Sequence, residues 1–567
     1  MADMISREAV PKLLELASKL DTPKFFYKAS GFIDEELERP LIGIVNTWQE
    51  ATLGHLHLRQ IADAVKAGVY LGGGTPIEFN LMGPCTGYSE ATRNYRFDLP
   101  QRDAIADSIE IQLEVLRCKG IVCIATCDKE IPGVWLGAAR KDLPTIIITG
   151  GPALPGKFRG EATTFPTDCL VPCVFEVISG KMSEEEFWRT ARRMEEEWVS
   201  TCGACPEMTT SNTLQMLSEA LGLSLPGANT APAVSMRKIR FAKRTGMQIV
   251  KLVETGFNFS RIVTREAVEN AIRVLMAVSG GTNGVLHLLA LANELGLDIT
   301  LDDFDRLGKA TKYLCHLRPS GPYTVVDFDN AGGVPALMKE LEKDLNLDCI
   351  TVTGKTVREN LAEARVLDSE VIRPQSNPIL NEGGIAVLRG NLAPNGAVSR
   401  FIVVKKELHE FEGSAKVFDT EEEAMFAIAS GSIESGDAIV VRYQGPRGAP
   451  GMPDNLVVVF MVSMMGLENV AVVSDGRFSG TTIGALYVGH VSPEAYIGGP
   501  IAAVQNGDTI RISIPERRID VDLSDEEIKT RLEAWKPPEP RVKKGVLVGW
   551  LETAEQAEKG AVLKRSL

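Results

Sequence analysis

The stretch Gly120–Lys129 reads Gly-Ile-Val-Cys-Ile-Ala-Thr-Cys-Asp-Lys, and Glu-Ile-Pro-Gly-Val-Trp follows it. Its first half is an apolar, β-branched run, which is typical of a buried strand in a parallel sheet. The run ends at three reactive side chains, Cys127, Asp128 and Lys129. Because open α/β sheets bind ligands at the carboxyl ends of their strands, this strand end is predicted to carry chemistry. The simpler interpretation is one buried cysteine beside a surface ion pair.

Chain length, net charge and the length of the apolar runs restrict the classes of function. At 567 residues the chain is long enough for several domains, at about 150 residues each. The formal net charge is −14, without a basic stripe, so we expect a small-molecule ligand and no nucleic-acid or membrane partner. The start lacks the apolar core of a secretory signal, and the longest apolar run, Leu456–Met465, is too short to cross a bilayer. A cytoplasmic location is therefore expected.

All ten cysteines lie in the first two thirds of the chain. Their spacing is not that of a secreted disulfide framework, so free thiols or metal ligands are expected. Cys202 and Cys205 form a Cys-x-x-Cys motif just before a predicted helix, where unpaired backbone N–H groups favour a thiolate. The motif alone is compatible with a redox pair, half of a zinc site or no function, and no second copy completes a zinc site.

Strands and helices alternate through the first half of the chain. The sequence pattern predicts strands at Leu41–Val45, Pro76–Asn80 and Pro144–Thr149. It predicts helices between them, at Leu58–Val69 and Arg102–Leu116. With the strand at Gly120, this alternation predicts a large α/β domain over residues 1–375, built on a doubly wound, mostly parallel sheet.

The composition shifts between Ile372 and Ala397 to clustered proline, glycine and asparagine, which indicates an interdomain connection. Short apolar runs then predict a smaller, β-rich, barrel-like domain over residues 376–567. Its predicted strands are Ala438–Tyr443, Asn455–Val462, Ala471–Ser474, Thr509–Ser513 and Ile519–Val521. The polar, Gly-rich loops Gly445–Asp454 and Ser474–Gly480 are compatible with hairpin turns and with parts of a site.

Taken together, these motifs resemble the dihydroxyacid dehydratase and 6-phosphogluconate dehydratase family, which includes sugar-acid dehydratases. The likeness runs nearly end to end and is carried by Cys127-Asp128-Lys129, Cys205, Gly280–His287, Gly383–Ala393, Gly445–Pro453, Gly476–Gly480 and Gly489–Ala495. The resemblance implies a hydro-lyase, homodimeric or homotetrameric, that converts a 2,3-dihydroxy acid to a 2-keto acid. It also implies an iron-sulfur cluster, of two or four irons, and Mg²⁺.

The resemblance assigns roles to individual residues. Cys127 and Cys205 match cluster ligands. An iron without a cysteine ligand acts as a Lewis acid on the C3 hydroxyl, which is otherwise a poor leaving group. Ser479 matches the proposed base, whose hydroxyl a nearby metal helps to ionise.

The magnesium site follows from the same resemblance. Asp128 and Asp454 match Mg²⁺ ligands, and the ion would stabilise the developing enolate. Lys129 matches a lysine that is carbamylated in relatives, where the added carboxylate binds the metal, so it is expected to be both a catalytic residue and a metal ligand.

The sequence departs from the family pattern at three positions. Gly54 stands where the first cluster cysteine is expected, and Thr86 stands near the place of an early acidic magnesium ligand. Asp454 is one methylene shorter than the glutamate expected there. Because Mg²⁺ demands near-ideal octahedral geometry, these changes are expected to weaken or relocate the ion.

One cluster thiolate must therefore be replaced. Cys85 is the preferred third ligand, because its loop is expected to face the metals. Cys202, His55 and His57 are the alternatives.

Three functions are weighed from the sequence. The first is a dehydratase similar to the branched-chain dihydroxyacid enzymes, and the second is a sugar-acid (aldonate) dehydratase. The third is a non-catalytic paralogue that acts in binding or regulation, which Gly54 and Thr86 favour. Against this third function stand five retained residues: Cys127, Asp128, Lys129, Cys205 and Ser479.

Overall fold

The computed structural model describes residues 10–163 and 166–565. Its N-terminal part contains a sheet in which all neighbouring strands run parallel, in the order β2-β1-β3-β4. These strands are β1 (Leu41–Asn46), β2 (Thr75–Asn80), β3 (Gly120–Ala125) and β4 (Thr145–Thr149). Every residue of β3 is buried, as the apolar run at Gly120 predicts. The predicted α/β class with a parallel sheet is confirmed.

The strand order places a switch point between β1 and β3. The chain leaves β1 toward β2 on one side and later returns to β3 on the other, so the loops after β1 and β3 diverge at the carboxyl edge. Such a crevice is the usual ligand site of an open parallel sheet. The loops that open it are residues 47–57 after β1 and residues 126–129 after β3.

Helices surround this sheet. Two pairs pack closely: α4 (Leu58–Leu71) with α11 (Met236–Thr255), and α6 (Pro100–Leu116) with α7 (Glu130–Lys141). The other helices of this part are α1 (Val10–Lys19), α2 (Thr22–Ala29), α3 (Asp34–Leu37), α5 (Thr86–Ala91), α8 (Pro166–Ile178), α9 (Glu184–Glu197), α10 (Thr210–Ala220), α12 (Phe259–Ile262), α13 (Arg265–Ala277), α14 (Asn283–Glu294), α15 (Leu301–Ala310), α16 (Val325–Asn330), α17 (Gly333–Glu340) and α18 (Val357–Asn360). A short hairpin, β5 (Gly156–Phe158) and β6 (Glu161–Thr163), follows β4.

The C-terminal part is built on an eight-stranded sheet in the order β14-β13-β9-β10-β11-β12-β8-β7, within the described residues. Its strands are β7 (Ala386–Leu388), β8 (Gly396–Ser399), β9 (Glu410–Phe418), β10 (Asp437–Val441), β11 (Ala471–Ser474), β12 (Leu486–Ser492), β13 (Thr509–Ser513) and β14 (Arg518–Val521). Arg389, just after β7, forms a bridge with Arg518 at the start of β14. This contact brings the two edges together, so the predicted barrel-like sheet is confirmed.

One predicted strand of this part is wrong. The run Asn455–Val462 forms no strand; helix α20 spans Leu456–Met464 instead. Because β10 and β11 are parallel, the chain must cross over between them, and parallel neighbours are usually joined by a helix. The same holds for α19 (Glu421–Ala429), which joins the parallel strands β9 and β10. The last helices are α21 (Asp525–Ala534) and α22 (Val546–Thr553).

Helix lengths also bear on membrane insertion. Across the part of the chain that the structure describes, none of the helices combines the length and the apolar character needed to span a membrane.

Candidate active site

Loops from both sides of the switch point meet at Cys127. The Cys127 backbone N–H donates a hydrogen bond to His55 Nε2 over 3.2 Å, and His55 Nδ1 lies 2.6 Å from the Thr47 carbonyl oxygen. Both contacts are satisfied when His55 carries its proton on Nδ1. Burial lowers the pKa of His55 to about 4, so the ring is neutral. His55 therefore holds the end of β3 against the loop after β1.

Three cysteines at this edge affect one another's pKa values. The Cys85 thiol interacts with the Cys127 thiol by a side-chain hydrogen bond, which lowers the pKa of Cys85 and raises that of Cys127 well above its ordinary value. Burial, followed by repulsion from Cys85, raises the pKa of Cys205. We call Cys85, Cys127 and Cys205 the thiol cluster.

Cys202 does not belong to the thiol cluster. Its pKa is raised by burial alone, and no charged group in the described ranges contributes. Gly203 shapes the turn between Cys202 and Cys205, because its backbone has φ +130° and its N–H donates to the Leu53 carbonyl over 3.0 Å. A β-carbon on Gly203 would lie 2.3 Å from the Ala153 nitrogen, so the turn between the two cysteines is tightly enclosed.

Gly54 lies directly against the thiol cluster. A β-carbon added to Gly54 would lie 2.7 Å from Cys127 Sγ and 3.3 Å from Thr126 Cγ2. Contacts below 3 Å force neighbouring atoms to move, so the present backbone leaves no room for a side chain at this position. Gly54, which has no side chain, is thus the residue at which the loop after β1 closely approaches Cys127.

Carboxylates form a second group beside the thiols. Burial raises the pKa of Asp454 to about 6 and raises that of Asp128 above its ordinary value. The pKa of Glu90 is raised well above its usual range by burial and then by repulsion from Asp454 and Asp128. We call Glu90, Asp128 and Asp454 the carboxylate cluster. Mutual repulsion of this kind favours a bound cation.

Lys129 and Arg477 share one buried carboxylate, Asp98. Lys129 Nζ lies 3.0 Å from Asp98 Oδ2, and Arg477 donates to the same oxygen over 2.9 Å. Thr86 Oγ1 donates to Asp98 Oδ1 over 2.6 Å. Burial alone would raise the pKa of Asp98, but Lys129 and Arg477 bring it below its ordinary value. Asp98 thus brings a carboxylate into contact with Thr86, the residue near which the sequence lacks the expected acid.

Arg477 connects the C-terminal loops to this site. Its backbone N–H donates to the Pro453 carbonyl over 3.0 Å, which aligns the Asp454 loop with the loop after β11. Its guanidinium donates to the Met452 carbonyl over 2.7 Å and to Asn283 Oδ1 over 3.0 Å. One arginine therefore sets the position of Asp454 relative to Asp98.

The loop with Ser479 packs against the start of α10. A β-carbon on Gly480 would lie 2.7 Å from the Thr210 nitrogen, and the Gly480 carbonyl accepts a hydrogen bond from buried Arg400 over 2.7 Å. Thr210 in turn hydrogen-bonds Asp128. The half-buried Ser479 hydroxyl lies 3.1 Å from Thr481 Oγ1. The loop therefore reaches the end of β3 through Thr210.

Contacts and mutual effects on pKa connect the predicted residues Cys85, Cys127, Cys205, Asp128, Lys129 and Asp454 with one another and with residues that the sequence did not predict. Glu90, Asp98 and Arg477 are additions, and so is Thr210. The sequence offered a reason to consider Glu90 and Asp98, since both acids fall in the short stretch between β2 and α6 that follows the Cys85 loop. For Arg477, the signal was its place in the Gly476–Gly480 motif.

The donor types fit an iron-sulfur cluster and a divalent cation. Sulfur donors suit iron, and carboxylate oxygens suit Mg²⁺. Over residues 10–163 and 166–565, no three His, Cys, Asp or Glu side chains converge closely enough to hold a metal ion as they stand.

Two family models match nearly the whole chain. The model described as dihydroxy-acid/6-phosphogluconate dehydratase N-terminal matches residues 39–360, and the corresponding C-terminal model matches residues 370–561.

Similar proteins are found in several organisms. A dihydroxy-acid dehydratase of Pyrococcus furiosus is 50% identical over 544 residues, which cover 95% of this chain and 97% of the relative. One of Ignicoccus hospitalis is 48% identical over 541 residues, with the same coverage of 95% and 97%. One of Acetivibrio thermocellus is 46% identical over 560 residues, which cover 98% of this chain and 99% of the relative. The chain therefore belongs to the dihydroxy-acid/6-phosphogluconate dehydratase family of hydro-lyases.

Proposed function

We propose that this chain removes water from a 2,3-dihydroxy acid and releases a 2-keto acid, the reaction type in the names of its relatives. The supporting observation is that the thiol cluster, the carboxylate cluster and the Ser479 loop meet at the end of β3. In the reaction, C2 loses a proton and the C3–O bond breaks as hydroxide leaves. The resulting enol gains a proton on C3 and becomes the keto acid. One water is lost and no oxidant is required.

The cofactors belong to the same proposal. Cys85, Cys127 and Cys205 would hold an iron-sulfur cluster of two or four irons, and the carboxylate cluster would hold Mg²⁺. When bound, these groups supply Lewis acidity for the departure of hydroxide and for the charge of the enolate. The fit rests on the thiol coupling around Cys85 and on the acid repulsion around Glu90.

Ser479 is proposed to accept the C2 proton. A serine hydroxyl is a weak acid, so it acts as a base only where neighbouring positive charge favours the alkoxide. Arg477, two residues before Ser479 in the same loop, supplies such charge, and a nearby metal ion would add to it. Lys129 is proposed as a catalytic residue and as a Mg²⁺ ligand. Arg400 and Thr210 keep the loop in position through Gly480.

The remaining expectations stay proposals. We propose a cytoplasmic enzyme that forms a homodimer or homotetramer and acts on a small hydroxy acid, without a nucleic-acid or membrane partner. The net charge of −14 supports the absence of a nucleic-acid partner. An N-terminal domain of residues 1–375 would carry the cluster and metal ligands, and a C-terminal domain of residues 376–567 would carry the base loop.

A substrate panel tests the proposed reaction. Protein purified without oxygen and supplied with Mg²⁺ is expected to form a 2-keto acid from at least one dihydroxy acid. The panel spans branched-chain dihydroxy acids and aldonic acids of four to six carbons, and a carbonyl-derivatising reagent detects the product. The names of the relatives, dihydroxy-acid dehydratases, favour the dihydroxy acids of the panel over the more highly hydroxylated aldonic acids.

The Cys127→Ser variant serves as the control for background carbonyl formation. Product only from aldonic acids would identify the chain as a sugar-acid dehydratase. If preparations with intact iron and sulfide form no keto acid from any member, the non-catalytic paralogue is the better account.

A further inference from the structure

A second pocket lies at the opposite edge of the parallel sheet from the candidate active site. It has a volume of about 530 Å³ and is enclosed by α2, the end of α3 and the residues that lead into β1 and β3. Both strands are six residues long, so their two ends are about 17–20 Å apart. Because the active-site loops leave the carboxyl ends of the same strands, this pocket is separate from the site of the proposed reaction. We call it the amino-edge pocket.

One side of the amino-edge pocket is apolar. It is lined by Pro23, Tyr27, Leu37, Pro40 and Leu41. The Tyr27 hydroxyl donates to the Leu116 carbonyl over 2.6 Å, which fixes the ring and satisfies the last carbonyl group of α6. A wall that is already ordered loses little side-chain freedom when a ligand packs against it. This side of the pocket therefore suits the apolar body of a small organic molecule.

The rest of the lining is charged and mainly cationic. It consists of four cations and two carboxylates: Lys24, Arg39, Arg117, Lys119, Asp21 and Glu38. Arg117 lies 3.6 Å from Asp21, and these two charges offset each other. Lys24 and Lys28 share Asp34, at 2.6 and 2.5 Å, so this group of three keeps one positive charge. With Arg39, Lys119 and Glu38 included, the pocket carries two positive charges in excess, in a chain whose formal net charge is −14.

Two of the cations are available to a ligand. Arg39 and Lys119 are exposed, and neither forms an ion pair with a residue that the structure describes. The Lys119 backbone N–H donates to the Leu41 carbonyl over 2.8 Å, which continues the pairing of β1 with β3. The sheet therefore holds Lys119 beside the apolar wall, and a ligand can contact both at once.

We propose that the amino-edge pocket binds a small phosphate monoester with a compact apolar body. Two excess positive charges match the charge of about −1.5 to −2 that a phosphate monoester carries at pH 7. Arginine and lysine are the usual phosphate-binding side chains, and the apolar wall accommodates the body of the ester. The site goes beyond the proposed dehydration, because its lining shares no residue with the thiol cluster or the carboxylate cluster.

Calorimetric titration of the full chain with phenyl phosphate, in buffer without Mg²⁺, tests the ligand class. Inorganic phosphate supplies the charge without the apolar body, and benzoate supplies an apolar body with a single charge. Phenyl phosphate is expected to bind at least about tenfold more tightly than inorganic phosphate, because it buries an aromatic ring. It should also bind more tightly than benzoate. No binding at millimolar concentration would overturn the proposal, and so would equal binding of phenyl phosphate and either comparator.

Lys119→Gln tests the location of the bound ester. Removing one unit charge next to the phosphate is expected to weaken phenyl phosphate binding at least about fivefold. The matched control is Lys343→Gln, the same change at another exposed lysine that pairs with no acid in the described part of the chain. The control should bind like the unaltered protein. Equal affinity in all three proteins would place the ester elsewhere and contradict the assignment.

Glu38→Gln gives a change of the opposite sign. It removes a carboxylate from the lining, so phenyl phosphate should bind several times more tightly. Glu363→Gln, at an exposed acid outside the pocket, should leave the affinity unchanged. A damaged fold would not tighten binding, so this variant remains informative even if Lys119→Gln folds poorly. Unchanged or weaker binding in Glu38→Gln would count against the site. None of these titrations needs turnover, so they are decided independently of the proposed reaction.

Discussion

Cys85→Ser is expected to lose nearly all iron, sulfide and turnover, as completely as Cys127→Ser. Position 54 lacks a side chain, so Cys127 and Cys205 alone would provide two thiolates, whereas an open-site four-iron cluster needs three and a two-iron cluster normally four ligands. Cys85 is hydrogen-bonded to Cys127 and is the member of the pair whose pKa is lowered. A serine hydroxyl at this position is a harder and far less acidic donor, so it should not replace the thiolate.

Cys202→Ser is the matched control for this variant. It lies in the same motif as Cys205, yet it shares no charge coupling with the thiol cluster among the described residues, so it should keep most of its iron and activity. Iron and sulfide are quantified on anaerobic preparations of all three variants. Retention in Cys85→Ser with loss in Cys202→Ser would reverse the assignment. Retention in both would point to a cluster held by two cysteines, or to a non-cysteine third ligand such as His55 or His57.

Ser479→Ala is expected to reduce turnover by about a hundredfold or more while leaving iron, sulfide and the visible spectrum unchanged. General base catalysis typically contributes about 10²- to 10⁴-fold, and this hydroxyl is assigned to proton transfer rather than to metal binding. The main-chain hydrogen bond between Arg400 and Gly480 does not involve the substituted atom, so the loop should keep its position.

Ser463→Ala provides the comparison for that loss. Ser463 is an exposed serine on α20, whose hydroxyl bonds backbone carbonyls of its own helix and of Ile483. Its removal should leave turnover near the unaltered value. Full activity in Ser479→Ala would end the proposed role of the serine, whatever the state of the cluster.

Local patterns predicted much of the fold. The run that begins at Gly120 and forms β3 is apolar throughout. A short run of this kind is typical of a buried strand in a parallel sheet. Periodicity could not distinguish strand from helix for residues 456–464, because a short apolar run fits both, and only the parallel pairing of β10 with β11 requires the helical crossover.

The site was predictable where its residues come from strand ends and less so elsewhere. Cys127, Asp128 and Lys129 end one strand, and Cys85 follows another, so a common edge follows from the fold class. The contact between Asp98 and Arg477 joins residues 379 positions apart, and no local pattern signals it. The role of Glu90 likewise depends on carboxylates contributed by distant segments.

The fate of the C2 proton tests the central claim, dehydration by proton removal and ketonisation, most directly. The substrate identified in the panel is converted in D₂O, and NMR determines which hydrogen isotope occupies C3 of the product. Product incubated alone corrects for spontaneous exchange. We predict one deuterium at C3, because the proton taken by Ser479 would exchange with solvent before the enol is protonated. A product that carries the original C2 hydrogen at C3 would show that this hydrogen is transferred internally without exchange with solvent, and would contradict the account.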